Sequence, residues 1–225
     1  MDSEFTAAMR VTTLSLILLL SGAAGAAGKD TCFECHSIIE GTSEVFKDDV
    51  HYQNGQSCDA CHGGDSQEED QNISMNASRG FKVRVTRAGV PDYCGRCHSD
   101  QLSVYRTSVH AARLAANRPH AAECVDCHGV HTIRAASDPL SPVHPSHVVE
   151  LCAKCHPAGS AGARTAADLA GLIAGLETAA RGANRSEAQR KAVNESLQKA
   201  RLAVHAVSVA AVKIHVDAGM AATKQ

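Results

Sequence analysis

A chain of 225 residues with a formal net charge of −2 lacks the basic excess that nucleic-acid binding requires. It has no Trp and only 3% aromatic residues, which excludes an ordinary aromatic-rich core unless something else fills the interior. Ten cysteines in this length are unusual for a cytosolic protein unless they bind metal.

Along the chain, Arg10 precedes an apolar run from Val11 to Leu20, and small residues follow from Ser21 to Gly28. Ala24-Gly25-Ala26 and Gly25-Ala26-Ala27 both fit a small-x-small cleavage pattern, so residues 1–28 read as an export signal peptide. The alternative is a retained anchor, because Val11 to Ala27 reaches the lower end of a spanning helix, although its second half is Gly and Ala. Residues 29–157 hold every Cys and 11 of the 13 His. Their spacers carry turn signals at Gly63-Gly64-Asp65 and Ser137-Asp138-Pro139, a solvated acidic run from Gln67 to Asp70, and one alternating stretch, Phe81 to Thr86, that predicts a short strand.

Residues 158–225 are free of Cys and rich in Ala. Leu169, Leu172, Ile173 and Leu176 form one short apolar stripe, and Gly182-Ala183-Asn184-Arg185 ends it. A longer stripe runs through Val193, Leu197, Ala200, Val204, Val207, Ala211 and Ile214, which predicts a helix of roughly 30 residues. Ser186 to Gln189 fits a capping box at its start, and Gly219 is a plausible stop. The tail is therefore expected to be a helical hairpin whose stripe packs on its own partner, on the preceding region, or on another protein.

The cysteines fall into one unit, Cys-x-x-Cys-His, repeated five times at intervals of 26, 36, 30 and 28 residues. The copies are Cys32/Cys35/His36, Cys58/Cys61/His62, Cys94/Cys97/His98, Cys124/Cys127/His128 and Cys152/Cys155/His156, and no Cys is left over. This spacing is the signature of c-type haem attachment. One helical turn sets two thiols where they can add to the two vinyl groups of a haem. The next residue, His36, His62, His98, His128 or His156, then sits beneath the iron as proximal ligand. Structural zinc uses Cys-x-x-Cys pairs but does not need His after every second Cys. A disulfide within Cys-x-x-Cys is a redox pair rather than a staple. The motifs predict five covalently attached haem c groups, whose faces supply the aromatic area the sequence lacks and lie close enough for electron hopping.

With these motifs, residues 32–156 resemble the multihaem cytochromes c (class III-like) of bacterial anaerobic and extracellular respiration. Three further stretches share the resemblance: Phe46-Lys47-Asp48-Asp49-Val50-His51, Ser108-Val109-His110 and Cys127-His128-Gly129-Val130-His131. The resemblance implies an electron carrier whose haems have two axial His. The identity of that second ligand decides function: His closes the iron for electron transfer, Met raises the potential, and an open position admits substrate. The distal candidates are His51, His110, His131, His147 and His205, with His120, His144, His215 and Met75 behind them.

The expected fold is mainly α with extensive loops, a haem-packed multihaem cytochrome c core followed by the C-terminal hairpin. The expected function is electron transfer in the periplasm or outside the cell, with no catalytic residues. Partners would be redox proteins or a quinol-oxidising membrane complex, and the tail helices offer a surface for a homo-oligomer or filament. Two alternatives stay open: a membrane-anchored quinol dehydrogenase subunit, and a multihaem reductase of nitrogen or sulfur oxyanions.

Overall fold

A computed structural model describes residues 30–39, 42–182 and 185–224. The expected signal peptide, and Ala183-Asn184 of the expected break, lie outside the described residues. The first region is a string of short helices: α1 (Thr31–His36), α2 (Thr42–Phe46), α3 (Val50–Gln53), α4 (Cys58–His62), α5 (Gln71–Ser74), α6 (Val90–Cys94), α7 (Ser99–Tyr105), α8 (Val109–Ala115), α9 (Cys124–His128) and α10 (Val148–Ala153). Three longer helices follow: α11 (Ala161–Ala180), α12 (Glu187–Ala203) and α13 (Val209–Ala222). There is no strand among the described residues, so the short strand expected at Phe81 to Thr86 is not formed; that stretch is irregular backbone. Its neighbours explain this, since Lys82 N–H is spent on the carbonyl of His62 rather than on a ladder.

The two parts are built differently. In the tail, Leu169, Ile173, Leu176, Val193, Leu197, Ala200, Ala203, Val212 and Val216 form one apolar cluster. Before it, the buried apolar side chains among the described residues are Phe46, Pro91 and Ala121. Burial there falls mostly on polar groups, namely Thr31, Asp49, Ser66, Ser108, Glu123 and Ser141. A segment of this length with so little buried apolar surface cannot offset the entropy of ordering its backbone by protein packing alone.

The tail also departs from the expected hairpin. Its start is as expected: Ser186 and Gln189 form a reciprocal capping box. The long helix then breaks. A 3-10 turn covers Val204–Ala206, and Val207 takes a left-handed φ of 52°. A β-branched residue avoids that region, so nothing local in the sequence signals the break. The interruption resets the helical phase. Val212 and Val216 turn inward, whereas Ile214, expected on the buried stripe, is 68% exposed. Gly219 is not a stop but lies inside α13, where a Cβ would meet Leu176 Cδ1 at 2.6 Å and Ser196 Cβ at 2.9 Å. The missing side chain is what lets α13 lie close on α11 and α12. The stripe thus packs on its own partner helices.

One ion pair is set into this bundle. Arg201 Nη2 donates to Glu177 Oε1 at 2.7 Å, and the Glu177 side chain is only 9% exposed. Replacing Arg201 by alanine leaves a buried carboxylate without its partner. The expected cost is about 2 kcal/mol, read as a lower midpoint in denaturant unfolding.

Candidate haem sites

All five Cys-x-x-Cys-His units fold as a turn of helix. The first, second and fourth lie within α1, α4 and α9. The third and fifth begin at the last turns of α6 and α10, and the helical hydrogen bond continues past the helix end. His98 N–H donates to Cys94 O at 3.0 Å, and His156 N–H to Cys152 O at 2.9 Å. In each copy the two thiols and the imidazole are therefore held on one turn, the local geometry that attachment to one haem requires.

Polar caps fix these turns and tie neighbouring copies together. Asp30 caps α1 by accepting from Phe33 N–H at 3.2 Å, and its other oxygen accepts from the Ser57 hydroxyl. Ser57 in turn caps α4, accepting from Cys58 N–H at 2.6 Å. The buried Thr31 hydroxyl donates to the carbonyls of Ser66 and Glu68, and Ser66 donates to Asp59 Oδ2 at 2.8 Å. Glu123 and Asp126 form a capping box on α9. Arg87, just before the third copy, binds Asp126 and the carbonyl of Ala121. Burial raises the Glu123 carboxyl above the usual carboxylate range. Tyr105 closes the same corner by donating to Ala122 O at 2.8 Å.

The thiols report the order of the copies. Burial raises Cys32 to about 11, with Cys58 the next contributor. Burial also raises Cys61, with Cys94 next. A hydrogen bond with Cys124 lowers the Cys94 thiol below its usual value. Burial raises Cys127 to about 11, with Cys152 next. Each copy thus has its successor in the chain as an electrostatic neighbour.

The histidines form pairs. His98 faces His51 with ring centroids 5.9 Å apart. His62 faces His131 at 6.0 Å, His156 faces His110 at 6.1 Å, and His128 faces His205 at 6.1 Å. Each pair joins one motif histidine to one outside the motifs. Their interplanar angles range from 11° to 78°, yet the separation is nearly constant. Ring packing alone tolerates a spread of roughly 4.5–7 Å. A metal held at roughly 2 Å from one nitrogen of each ring sets the centroids about 6 Å apart whatever the angle between planes.

Ring orientation agrees with this chemistry. The Nδ1–H of His51 donates to Asp49 Oδ1 at 2.8 Å, that of His62 to Lys82 O at 2.9 Å, and that of His205 to Leu202 O at 3.0 Å. In each case Nε2 is left with its lone pair. Burial pushes His128 down to about 4, with the nearby His205, His98 and His51 adding to it. Burial also lowers His98, His110 and His131. These imidazoles are neutral at physiological pH, the form that ligates metal.

The remaining candidates are placed elsewhere. His147 does not face a motif histidine: its Nε2 donates to Pro139 O at 2.9 Å, and its ring lies 6.3 Å from His144. His144 binds Ser146 through Nδ1 at 2.6 Å. His120 sits in an exposed loop with a left-handed φ of 57°. Met75 caps the C-terminus of α5 and is 39% exposed. His215 is half-buried on α13. Asp49, which sequence reasoning passed over, is 1% exposed and is the buried carboxylate behind His51. An N-cap residue two positions before a histidine was the signal available for it.

The residues present fit haem c on three counts: thiol pairs on one turn, imidazoles facing each other at metal-bridging separation, and a region whose protein atoms form almost no apolar core. A family model described as cytochrome c3 matches residues 50–157, and one described as cytochrome c554 and c-prime matches residues 15–63. Neither a curated protein nor a solved structure matches the chain. Fold, motifs and family matches define a multihaem c-type cytochrome. Its covalently bound haem c supplies one-electron chemistry at iron, so the chain is an electron-transfer protein.

Proposed function

We propose that the chain carries five haem c groups and passes electrons along them as a carrier, with no catalytic site. The observation that carries this reading is the set of four histidine pairs at 5.9–6.1 Å. An iron ligated on both faces has no position for substrate. The proposed axial pairs are His98 with His51, His62 with His131, His156 with His110, and His128 with His205. His36 is the proximal ligand of the haem attached at Cys32 and Cys35. The neighbour relations among the thiols support a row of haems in chain order, from the haem on Cys32 and Cys35 to the haem on Cys152 and Cys155.

Residues 29–157 form the haem-binding part and residues 158–225 a helical tail that contributes one axial ligand, His205. No helix among the described residues is long and apolar enough to cross a membrane. We place the protein in the periplasm or outside the cell, in line with the export signal read at residues 1–28. Haem propionates add negative charge, which favours redox partners with basic docking patches and salt-sensitive encounter rates.

The test uses the purified, haem-loaded protein. Intact mass and a pyridine haemochrome assay are expected to give five haems per chain. EPR of the oxidised form is expected to show low-spin signals from the four haems held by histidine pairs, and CO is expected to leave those four unchanged in the reduced optical spectrum. A high-spin signal together with CO binding at any of those four would mean an open iron. The carrier reading would then give way to an oxyanion reductase.

A further inference from the structure

Asp49 is among the most fully buried side chains of the molecule, and it lies in the part with almost no apolar core. Both of its oxygens are in use. Oδ1 accepts the backbone N–H of His51 at 2.8 Å and the ring Nδ1–H of the same residue at 2.8 Å. Oδ2 accepts Ile133 N–H at 2.7 Å, across 84 residues of chain. The contact is reciprocated one residue on, where Val50 N–H donates to Ile133 O at 2.7 Å. Ile133 lies two residues after His131, whose φ of 60° is a left-handed conformation that only a well-held loop retains.

We propose that Asp49 is a positioning residue for two iron sites: it orients His51 toward His98, lowers the reduction potential of the iron between them, and through Ile133 holds the loop that presents His131 to His62. The proposal rests on the axial pairs given above. A carboxylate that accepts the Nδ1–H of a ligand makes the opposite nitrogen a stronger electron donor. It also sets a negative charge in a buried place near the metal. Both effects favour the ferric state.

The chain contains its own comparison. Asp49-Val50-His51 and Ser108-Val109-His110 open α3 and α8 in the same way, with a buried N-cap residue two positions before the histidine. Ser108 caps by accepting Ala111 N–H at 3.1 Å and brings no charge. The two sites thus differ in the group behind the histidine helix, a carboxylate at one and a hydroxyl at the other.

The experiment is a redox titration of the full haem-loaded chain, followed optically and by EPR, for the unaltered protein, Asp49→Asn, Asp49→Ser and the neighbouring exposed carboxylate variant Asp48→Asn. In both Asp49 variants one component is expected to move to higher potential, its oxidised-to-reduced ratio at fixed potential falling about tenfold, about 59 mV for one electron. Asp48→Asn is expected to leave that component in place. In the unaltered protein, with haems assigned by NMR, the haem on Cys94 and Cys97 is expected to titrate below the one on Cys152 and Cys155. This order is read even if both variants lose haem. Unmoved potentials in variants that keep their haem, an equal shift in Asp48→Asn, or the reverse order in the unaltered protein would each overturn the proposal. Failure of the underlying axial pairing looks different: in the unaltered protein itself the haem on Cys94 and Cys97 or the haem on Cys58 and Cys61 would then be high-spin and bind CO.

Discussion

Replacing His205 by alanine in the full haem-loaded chain is expected to turn one low-spin haem into a high-spin haem that binds CO. His205 is the only histidine of the tail that faces a motif histidine, at 6.1 Å from His128 and with planes 11° apart. Its ring is aimed by the bond from Nδ1 to Leu202 O, made in the last turn of α12 where the chain breaks. The 3-10 turn at the break, Val204–Ala206, packs against α7 and holds it there. Burial pushes His128 down to about 4, with His205 the next contributor. Alanine leaves a space of side-chain size beside the iron, and CO fills it. CO difference spectra of the reduced protein are expected to gain about one-fifth of the haem over the unaltered protein, on the proposed count of five. His215→Ala, ten residues further along the tail, is expected to leave CO reactivity as in the unaltered protein. A His205→Ala protein that gains no high-spin, CO-reactive haem would remove His205 from the ligand set.

What the sequence makes legible here is covalent and local. Five copies of a five-residue unit specify attachment chemistry, because thiol spacing and the following imidazole are fixed within one turn. His51, His110 and His131 stand out on short stretches of their own, and the structure sets each of them opposite a motif histidine. Which motif each one faces is not local. His51 precedes the second copy yet faces the third, and His131 follows the fourth yet faces the second. Such crossings depend on how loops fold back, and periodicity carries no information about them. Nearness along the chain likewise misdirects: His147 lies five residues before Cys152, but its Nε2 is taken by Pro139 O. In the tail, apolar period shows helices and caps well. It fails at Val207, where tertiary packing overrides the conformational preference of valine and shifts the buried phase from Ile214 to Val212 and Val216.

Leu176→Ala is expected to destabilise the tail by about 2–5 kcal/mol, the usual range for emptying a fully buried leucine site. Leu176 is 0% exposed and belongs to the cluster shared by α11, α12 and α13. It touches the position where Gly219 brings α13 closest, so neighbouring side chains have little freedom to fill the gap. The effect should not stay in the tail. His205 is the one proposed ligand on an element stabilised by ordinary apolar packing, whereas His51, His110 and His131 sit on segments flanked by haem attachment sites. Loosening α12 therefore releases one ligand before the others. In denaturant titrations followed together by circular dichroism and CO binding, the variant is expected to lose tail helix early, with one CO-reactive haem arising in the same transition. The unaltered protein is expected to show both changes at higher denaturant, still together. If helix loss moves but CO reactivity does not follow it, the tail is a packed appendage and its histidine is not an axial ligand.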